Sequence, residues 1–330
     1  MAPRVPRGRR FCTVGGVSGG GVDGGVALGV GLPVSGPWAT PAGVRHVARR
    51  AEELGYASLW TFQRLLSPVG RDLGPGHASV LDPVLALTLA AADTTRVGLG
   101  TATVCAPFVP PMVLAKAMAT LDVLSEGRLT VGVGMGWLPE EYAAAGVPFA
   151  RRGARFEEYL RCLVALWTQD PVEFYGDFYT VPPAHVAPSP VQRPHPPVLV
   201  GGTAPAALYR AGRLAQGWIG SSGHDLARIA RDVQVVRDGA RDAGRDVDAV
   251  RVLVRAVPDL RDTPAGPDRR PFQGTAEQVR ADVAALGEQG VTEVFLDLNL
   301  APALHAPGVA PEEALALADR VLEACAPPAG

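Results

Sequence analysis

"RLTVGVGMGWLPEEY" (Arg128–Tyr142) decides how the chain is read. A β-branched run enters glycines at 132, 134 and 136, and taken alone it suggests the phosphate loop of a dinucleotide-binding domain. In such a domain the glycine fingerprint fills the first strand-to-helix turn and opens directly into a helix, with an acidic residue about 20 residues on. Here the spacing is G-x-G-x-G, "WLPEEY" separates it from the next long helix, and three strand-and-helix pairs precede it. The stretch therefore reads as the fourth strand of a different architecture.

Working outward, apolar runs alternate with helical periodicity along most of the chain. "VALGVGL" (26–32), "ASLWTF" (57–62) and "RVGLGTATV" (96–104) come before it. "PVLVGG" (197–202), "GWIGSS" (217–222), "VRVLVRAV" (250–257) and "TEVFLDLNL" (292–300) come after. Each is followed by an amphipathic segment with apolar residues three and four apart, several of them stopped by glycine. Nearly continuous apolar strands belong to a parallel sheet covered on both faces. Eight such units in about 300 residues predict an α/β fold of the (β/α)8 TIM-barrel type, with a doubly wound sheet as the alternative. Between Gln169 and Pro197 a Pro-rich run with aromatics interrupts the alternation, which reads as an insertion before strand 5 acting as a lid. Residues 1–25, rich in Gly and Arg, read as a flexible extension with a translational start inside it left open, and 26–330 as the barrel domain.

The 330 residues carry a formal charge of −2, so no basic excess points to nucleic acid or an anionic membrane, and a small molecule is the expected partner. Cys12, Cys105, Cys162 and Cys325 lie too far apart in sequence for a zinc motif or a disulfide framework, which fits free thiols in the cytoplasm. No apolar run approaches the roughly 20 residues of a membrane helix, and glycines occupy the place where an export signal after Arg9 and Arg10 would need its apolar stretch.

In a TIM barrel the site lies at the C-terminal strand ends. Those ends hold few carboxylates: Asp259 and Asp297 stand without a neighbouring His or Glu in sequence, which gives a metal-dependent hydrolase little support. The single lysine, Lys116, falls on a helix, so Schiff-base chemistry is also unsupported. What remains is glycine, small hydroxyls and apolar surface. The turn Gly201-Gly202-Thr203 could hold a phosphate on its N–H groups at a helix start, or could simply be a tight turn. A cleft of this kind suits a flavin-like cofactor that brings its own redox chemistry.

"AEELGYASLWTFQRL", "RVGLGTATV", "LAKAMATLDVLSEGRLTVGVGMGW", "SPVQRPHPPVLVGGTAPAALYRAGRLAQGW" and "EQGVTEVFLDL", taken in order, resemble the bacterial luciferase-like superfamily, and within it the F420-dependent oxidoreductase branch. The resemblance covers about residues 26–325. It implies a TIM barrel, commonly a homodimer, with a flavin or deazaflavin over the strand ends. It places Gly134, Met135 and Gly136 against the cofactor and Gly201, Gly202 and Thr203 at its phosphate. Ala102 and Thr103 fall at a third-strand site where relatives often carry a non-proline cis peptide. The implied activity is hydride transfer between coenzyme F420 and a small organic substrate. The alternatives are an FMN-dependent monooxygenase using reduced flavin and O2, supplied by a separate flavin or F420 reductase, and a non-catalytic cofactor-binding protein.

Two departures from that pattern stand out. Many F420-dependent relatives have Asp-His after the second strand, where this chain has Gln63-Arg64. Arg64 stays protonated, so it is read as an electrostatic group toward an anionic substrate, a cofactor carbonyl or a developing negative charge, or as a structural ion pair. Met135 stands where the sugar-phosphate dehydrogenases of the family place an acidic proton donor, which argues against glucose 6-phosphate. The candidate catalytic residues are thus Arg64, Gln63 and His77, the last able to exchange a proton near neutral pH or to be a solvated loop residue. Glu140 and Glu141 read as first-turn acids, Trp38, Trp60 and Trp137 as possible pocket walls with core packing favoured for Trp60, and Arg151 and Arg152 as contacts for an acidic cofactor tail or a helix coat.

Overall fold

The computed structural model describes residues 25–328. The extension expected at 1–25 lies outside the described residues except for Gly25, as does Cys12. Eight parallel strands form the barrel: β1 (Ala27–Gly31), β2 (Ser58–Thr61), β3 (Gly98–Thr101), β4 (Leu129–Gly134), β5 (Val198–Gly201), β6 (Gly217–Gly220), β7 (Arg251–Ala256) and β8 (Glu293–Leu296). Pairing runs in chain order, β8 returns to β1, and β3 meets β4 through Leu99↔Leu129 and Gly100↔Thr130, so the sheet closes. Closure excludes the doubly wound alternative.

The helices outside it are α1 (Pro41–Glu53), α2 (Pro83–Asp93), α3 (Pro111–Leu124), α4 (Arg152–Thr168), α5 (Pro205–Leu214), α6 (Ile229–Asp242), α7 (Ala276–Glu288) and α8 (Pro311–Ala324). Proline opens α1, α2, α3, α5 and α8, where its missing N–H costs nothing and its fixed φ suits the first turn. Thr40 and Asp82 cap α1 and α2 by accepting from first-turn amides, and α7 begins with a Thr275–Gln278 capping box. These signals are local, which is why the helix starts were readable.

Period-two alternation sorts the strand side chains into an outer layer under the helices and an inner stack. The middle of that stack is Trp60, Ala102, Leu199, Ile219, Leu253 and Phe295. Trp60 fits because Gly29 and Gly100 leave it space; a Cβ on Gly100 would sit 2.2 Å from the indole ring. Core packing is thus the role of Trp60, and Trp38 is equally buried, its Nε1 donating to the Ser35 carbonyl at 2.7 Å. The floor of the stack, at the N-terminal strand ends, is polar. Glu293 accepts from Trp60 Nε1 at 2.8 Å, from Arg251 at 3.1 Å and from the Ser58 hydroxyl, while Arg251 also donates to Thr130 at 3.1 Å.

The insertion is a two-stranded antiparallel hairpin, Val172–Tyr175 and Thr180–Ala184, followed by an extended run. The hairpin lies along α4, where Glu158 accepts from the amides of Asp177, Phe178 and Tyr179. The run is tied to the foot of the barrel: buried Asp122 of α3 accepts from the amides of Val191 and Gln192 at 2.7 and 3.0 Å and from the Gln192 side chain at 2.6 Å. The segment read as a lid therefore contacts α4 through its hairpin, and α3 and the Leu129 carbonyl at the start of β4 through residues 191–192. Among the described residues no helix is long and apolar enough to cross a membrane.

Candidate active site

Above the Trp60 layer, β2, β7 and β8 each send one more residue toward the mouth: Phe62, Arg255 and Asp297. Arg255 pairs with Asp297 at 3.4 Å, with their side chains 9% and 1% exposed. Its guanidinium lies 5.0 Å from the Phe62 ring and 5.2 Å from Phe295, and donates to the Ala102 carbonyl. Asp297 also accepts from the backbone and side-chain nitrogens of Asn299, at 3.0 and 2.7 Å. Asn299 in turn accepts from the amides of Val34 and Ser35, so the loop after β1 is tied to the end of β8. Burial lowers the pKa of Arg255 from its usual high value, and Asp297 opposes that shift.

Neither Arg255 nor its pairing was anticipated. Asp259 was expected at the end of the seventh strand, but that strand ends at Ala256, and Asp259 instead belongs to a short surface pairing with Gln273. An arginine inside the apolar run "VRVLVRAV" was the signal available.

The Ala102–Thr103 peptide is cis. Thr103 projects over the ends of β4 and β5: a Cβ on Gly134 would meet its Oγ1 at 2.7 Å, and one on Gly201 its Cγ2 at 3.0 Å. Gly136, at φ +74°, faces Phe108 at 2.9 Å in the same sense. These glycines accommodate the chain's own side chains at the strand ends. The Met135 carbonyl accepts from the Tyr142 hydroxyl at 2.5 Å.

Gln63 does not face open space. Its Oε1 accepts from the Cys105 amide at 2.8 Å, joining the loops after β2 and β3. Cys105 is a half-buried thiol pushed up to about 12 by burial, with the nearby Glu141 carboxylate adding to the shift. Arg64 is held 2.8 Å from Glu141, with side chains 8% and 2% exposed. The other Glu141 oxygen accepts from the Leu65 amide at 2.8 Å. Glu141 was read as a helix-start acid; it is a buried counter-ion, while Glu140 pairs with Arg71 at the surface at 3.3 Å. Trp137, 52% exposed, lies 5.0 Å from the Arg64 guanidinium and 5.5 Å from that of Arg71.

His77 stands half-buried with its ring edge-on to Phe62 at 5.9 Å. Its Nδ1 donates to the Leu73 carbonyl at 3.0 Å, which leaves Nε2 of the neutral ring as an acceptor. Burial lowers its pKa below the ordinary histidine value, helped by the nearby Arg64 cation. The expected residues Arg64 and His77 are therefore brought to one mouth with Phe62 and Arg255, and Gln63 is a tie beside them.

At the other side of the mouth, the turn Gly201–Thr203 leads into α5. Gly202 packs so closely on Ala207 that a Cβ would sit 2.6 Å from it, and Trp218 Nε1 donates to its carbonyl at 2.7 Å. Nearby, the head of α4 and its seam with α5 carry a surplus of arginine. Arg152 stacks over Phe149 at 4.0 Å with one buried terminal nitrogen lacking a partner, and Arg210 approaches Gly153. Arg161, Arg210 and Arg213 share one carboxylate, Glu157. Arg151 and Arg155 flank Phe178 at 4.8 and 4.9 Å, and Arg151 reaches Asp177 at 3.2 Å. Among the described residues no group of three or more His, Cys, Asp or Glu side chains is placed to hold a metal ion.

Residues 14–270 match the family described as luciferase-like monooxygenase. An uncharacterized protein of Mycobacterium tuberculosis is 38% identical over 234 residues, which is 67% of this chain and 81% of that protein. The F420-dependent glucose-6-phosphate dehydrogenase of Amycolatopsis mediterranei is 35% identical over 64% of this chain and 62% of its own length. The FMNH2-dependent dimethylsulfone monooxygenase of Pseudomonas putida is 32% identical over 66% of this chain and 58% of its own length. The structure of an F420-dependent secondary alcohol dehydrogenase superposes with a TM-score of 0.73 at 18% identity, covering 91% of this chain and 99% of that one, a likeness of fold.

Proposed function

The chain belongs to the luciferase-like monooxygenase family, whose members are flavin- or F420-dependent oxidoreductases, and on that premise we propose that it moves a hydride between coenzyme F420 and a small organic substrate. The observation that carries the choice of F420 is the arginine surplus at the head of α4 and along its seam with α5. FMN ends in one phosphate, whereas F420 continues from its phosphate into an acidic tail. The turn amides around Gly202 and Thr203, with the α5 dipole, suit the phosphate. Arg152, whose buried terminal nitrogen has no partner, and Arg210 suit the carboxylates beyond it.

When bound, such a cofactor supplies the two-electron chemistry. The chain's own residues position and shield. Arg255 fixes the Ala102 carbonyl at the mouth. Phe62 and Trp137 offer apolar walls that exclude water. His77 Nε2 is the acceptor that can take or return a proton. The same reading includes a homodimer, formed through the exposed apolar side chains Leu81, Leu85, Val113 and Leu124 on and beside α2 and α3, and a separate reductase that renews the cofactor.

Titration of the purified protein with F420 and with FMN, followed by absorbance and fluorescence, tests the proposal. F420 should bind at micromolar concentration, and Arg152→Ala/Arg210→Ala should weaken it at least about tenfold while affecting FMN little. FMN binding without F420 binding, with O2 consumed in the presence of FMNH2, would replace the reading by a flavin monooxygenase, which the Pseudomonas putida relative favours. Tight binding without turnover on a broad substrate panel would leave a cofactor-binding protein.

A further inference from the structure

Arg64 invites an anionic substrate when seen in the sequence, and the structure cancels that invitation. Its guanidinium is bound 2.8 Å from Glu141, and both side chains are nine-tenths or more buried, so the pair is screened weakly by water and persists. The second arginine at the mouth, Arg255, is matched by Asp297, and the third, Arg71, by Glu140. Every cation named at this rim thus has its own carboxylate. Beside the exposed but mutually neutralised Arg71–Glu140 pair, the rim exposes apolar surface, Trp137 and Leu65, the latter 49% exposed. This balance differs sharply from the seam between α4 and α5, where three arginines share Glu157.

We propose that Glu141 sets the charge selectivity of the mouth: by cancelling Arg64 beside Trp137 it makes the site one for an uncharged substrate with an apolar body, and not for a carboxylate or phosphate. The inference rests on the mouth being the substrate site of the proposed enzyme. Its test needs no cofactor, so failure of F420 binding and failure of this inference are read separately.

Trp137 is the probe, because Trp38, Trp60, Trp167 and Trp218 are 5% exposed or less. Fluorescence quenching of the full chain is measured at constant ionic strength with iodide, standing for an anionic ligand, and with acrylamide, standing for a neutral one. Glu141→Gln keeps an acceptor for the Leu65 amide but frees the Arg64 charge about 5 Å from the ring. A single charge at that distance in water, reduced by salt, should raise the iodide quenching constant by roughly two- to threefold and leave acrylamide unchanged. Arg64→Gln, which frees the carboxylate, should lower the iodide constant, and Arg64→Gln/Glu141→Gln should return it to the wild-type value. An iodide constant unchanged in both single variants, or raised equally in the double variant, overturns the proposal.

Discussion

Replacing Asp297 by Asn should destabilise the protein by about 3 kcal/mol, the lower end of the roughly 3–5 kcal/mol seen when one partner of a buried ion pair is removed. The lower end applies because Asn is isosteric and its amide oxygen can still accept from Asn299, so the Asn299 clamp survives. What is lost is the charge opposite Arg255, which at 9% exposure cannot turn to water. Unfolding entropy of about 2.1 cal/mol/K per residue gives roughly 0.6 kcal/mol/K over about 300 residues, so the loss corresponds to a fall in Tm of about 5 °C. Scanning calorimetry of Asp297→Asn, Arg255→Met and the double variant measures it. The double variant should recover more than half of the loss, because it leaves no uncompensated buried charge. A Tm within about 1 °C of wild type for Asp297→Asn, or a double variant no more stable than the single, would refute the account of Arg255 as a buried, compensated cation.

Other outcomes follow from the same structure. The pKa of His77 is depressed by burial and by Arg64, so its NMR titration midpoint should lie below the ordinary value of about 6.5 and rise in Arg64→Gln. Between the folded and unfolded values the unfolded chain binds more protons, so the His77 contribution makes stability increase with pH across that window; a midpoint at or above 6.5 would contradict it. Asp122→Ala removes three charge-assisted hydrogen bonds from the insertion and should cost about 2–3 kcal/mol and expose residues 186–196 to limited proteolysis, with unchanged cleavage as the contrary result. Gly100→Ala sets a Cβ 2.2 Å from the Trp60 ring and should cost about 1–3 kcal/mol by overpacking, seen as a lower denaturant midpoint with altered indole emission.

Much of the fold was legible because its signals are local. Parallel strands covered on both faces read as apolar runs, and Pro41, Pro83, Pro111, Pro205 and Pro311 mark helix starts by their own covalent geometry. The site was legible only in part. Arg64 and His77 could be singled out as chemically unusual residues in a strand-end loop, but their states depend on residues far away in sequence. Glu141 stands 77 positions from Arg64, and nothing in "WLPEEY" distinguishes the buried carboxylate from the exposed one beside it. The anchoring of the insertion was hidden for a related reason. Loop length suggests a lid, but nothing in the local sequence shows that residues 191–192 are held by Asp122 at the foot of the barrel while the hairpin lies along α4.

The Glu293 network below Trp60 turns the barrel into a blind socket. With charge and indole plugging one end and Arg255 stacked between phenyl rings near the other, the interior has no depth to give to a ligand. A larger substrate can be admitted only sideways, by remodelling the rim loops that carry Trp137, His77 and Leu65. Libraries aimed at new substrates therefore belong on those loops, while mutations directed into the bore should yield misfolded protein before they yield new activity.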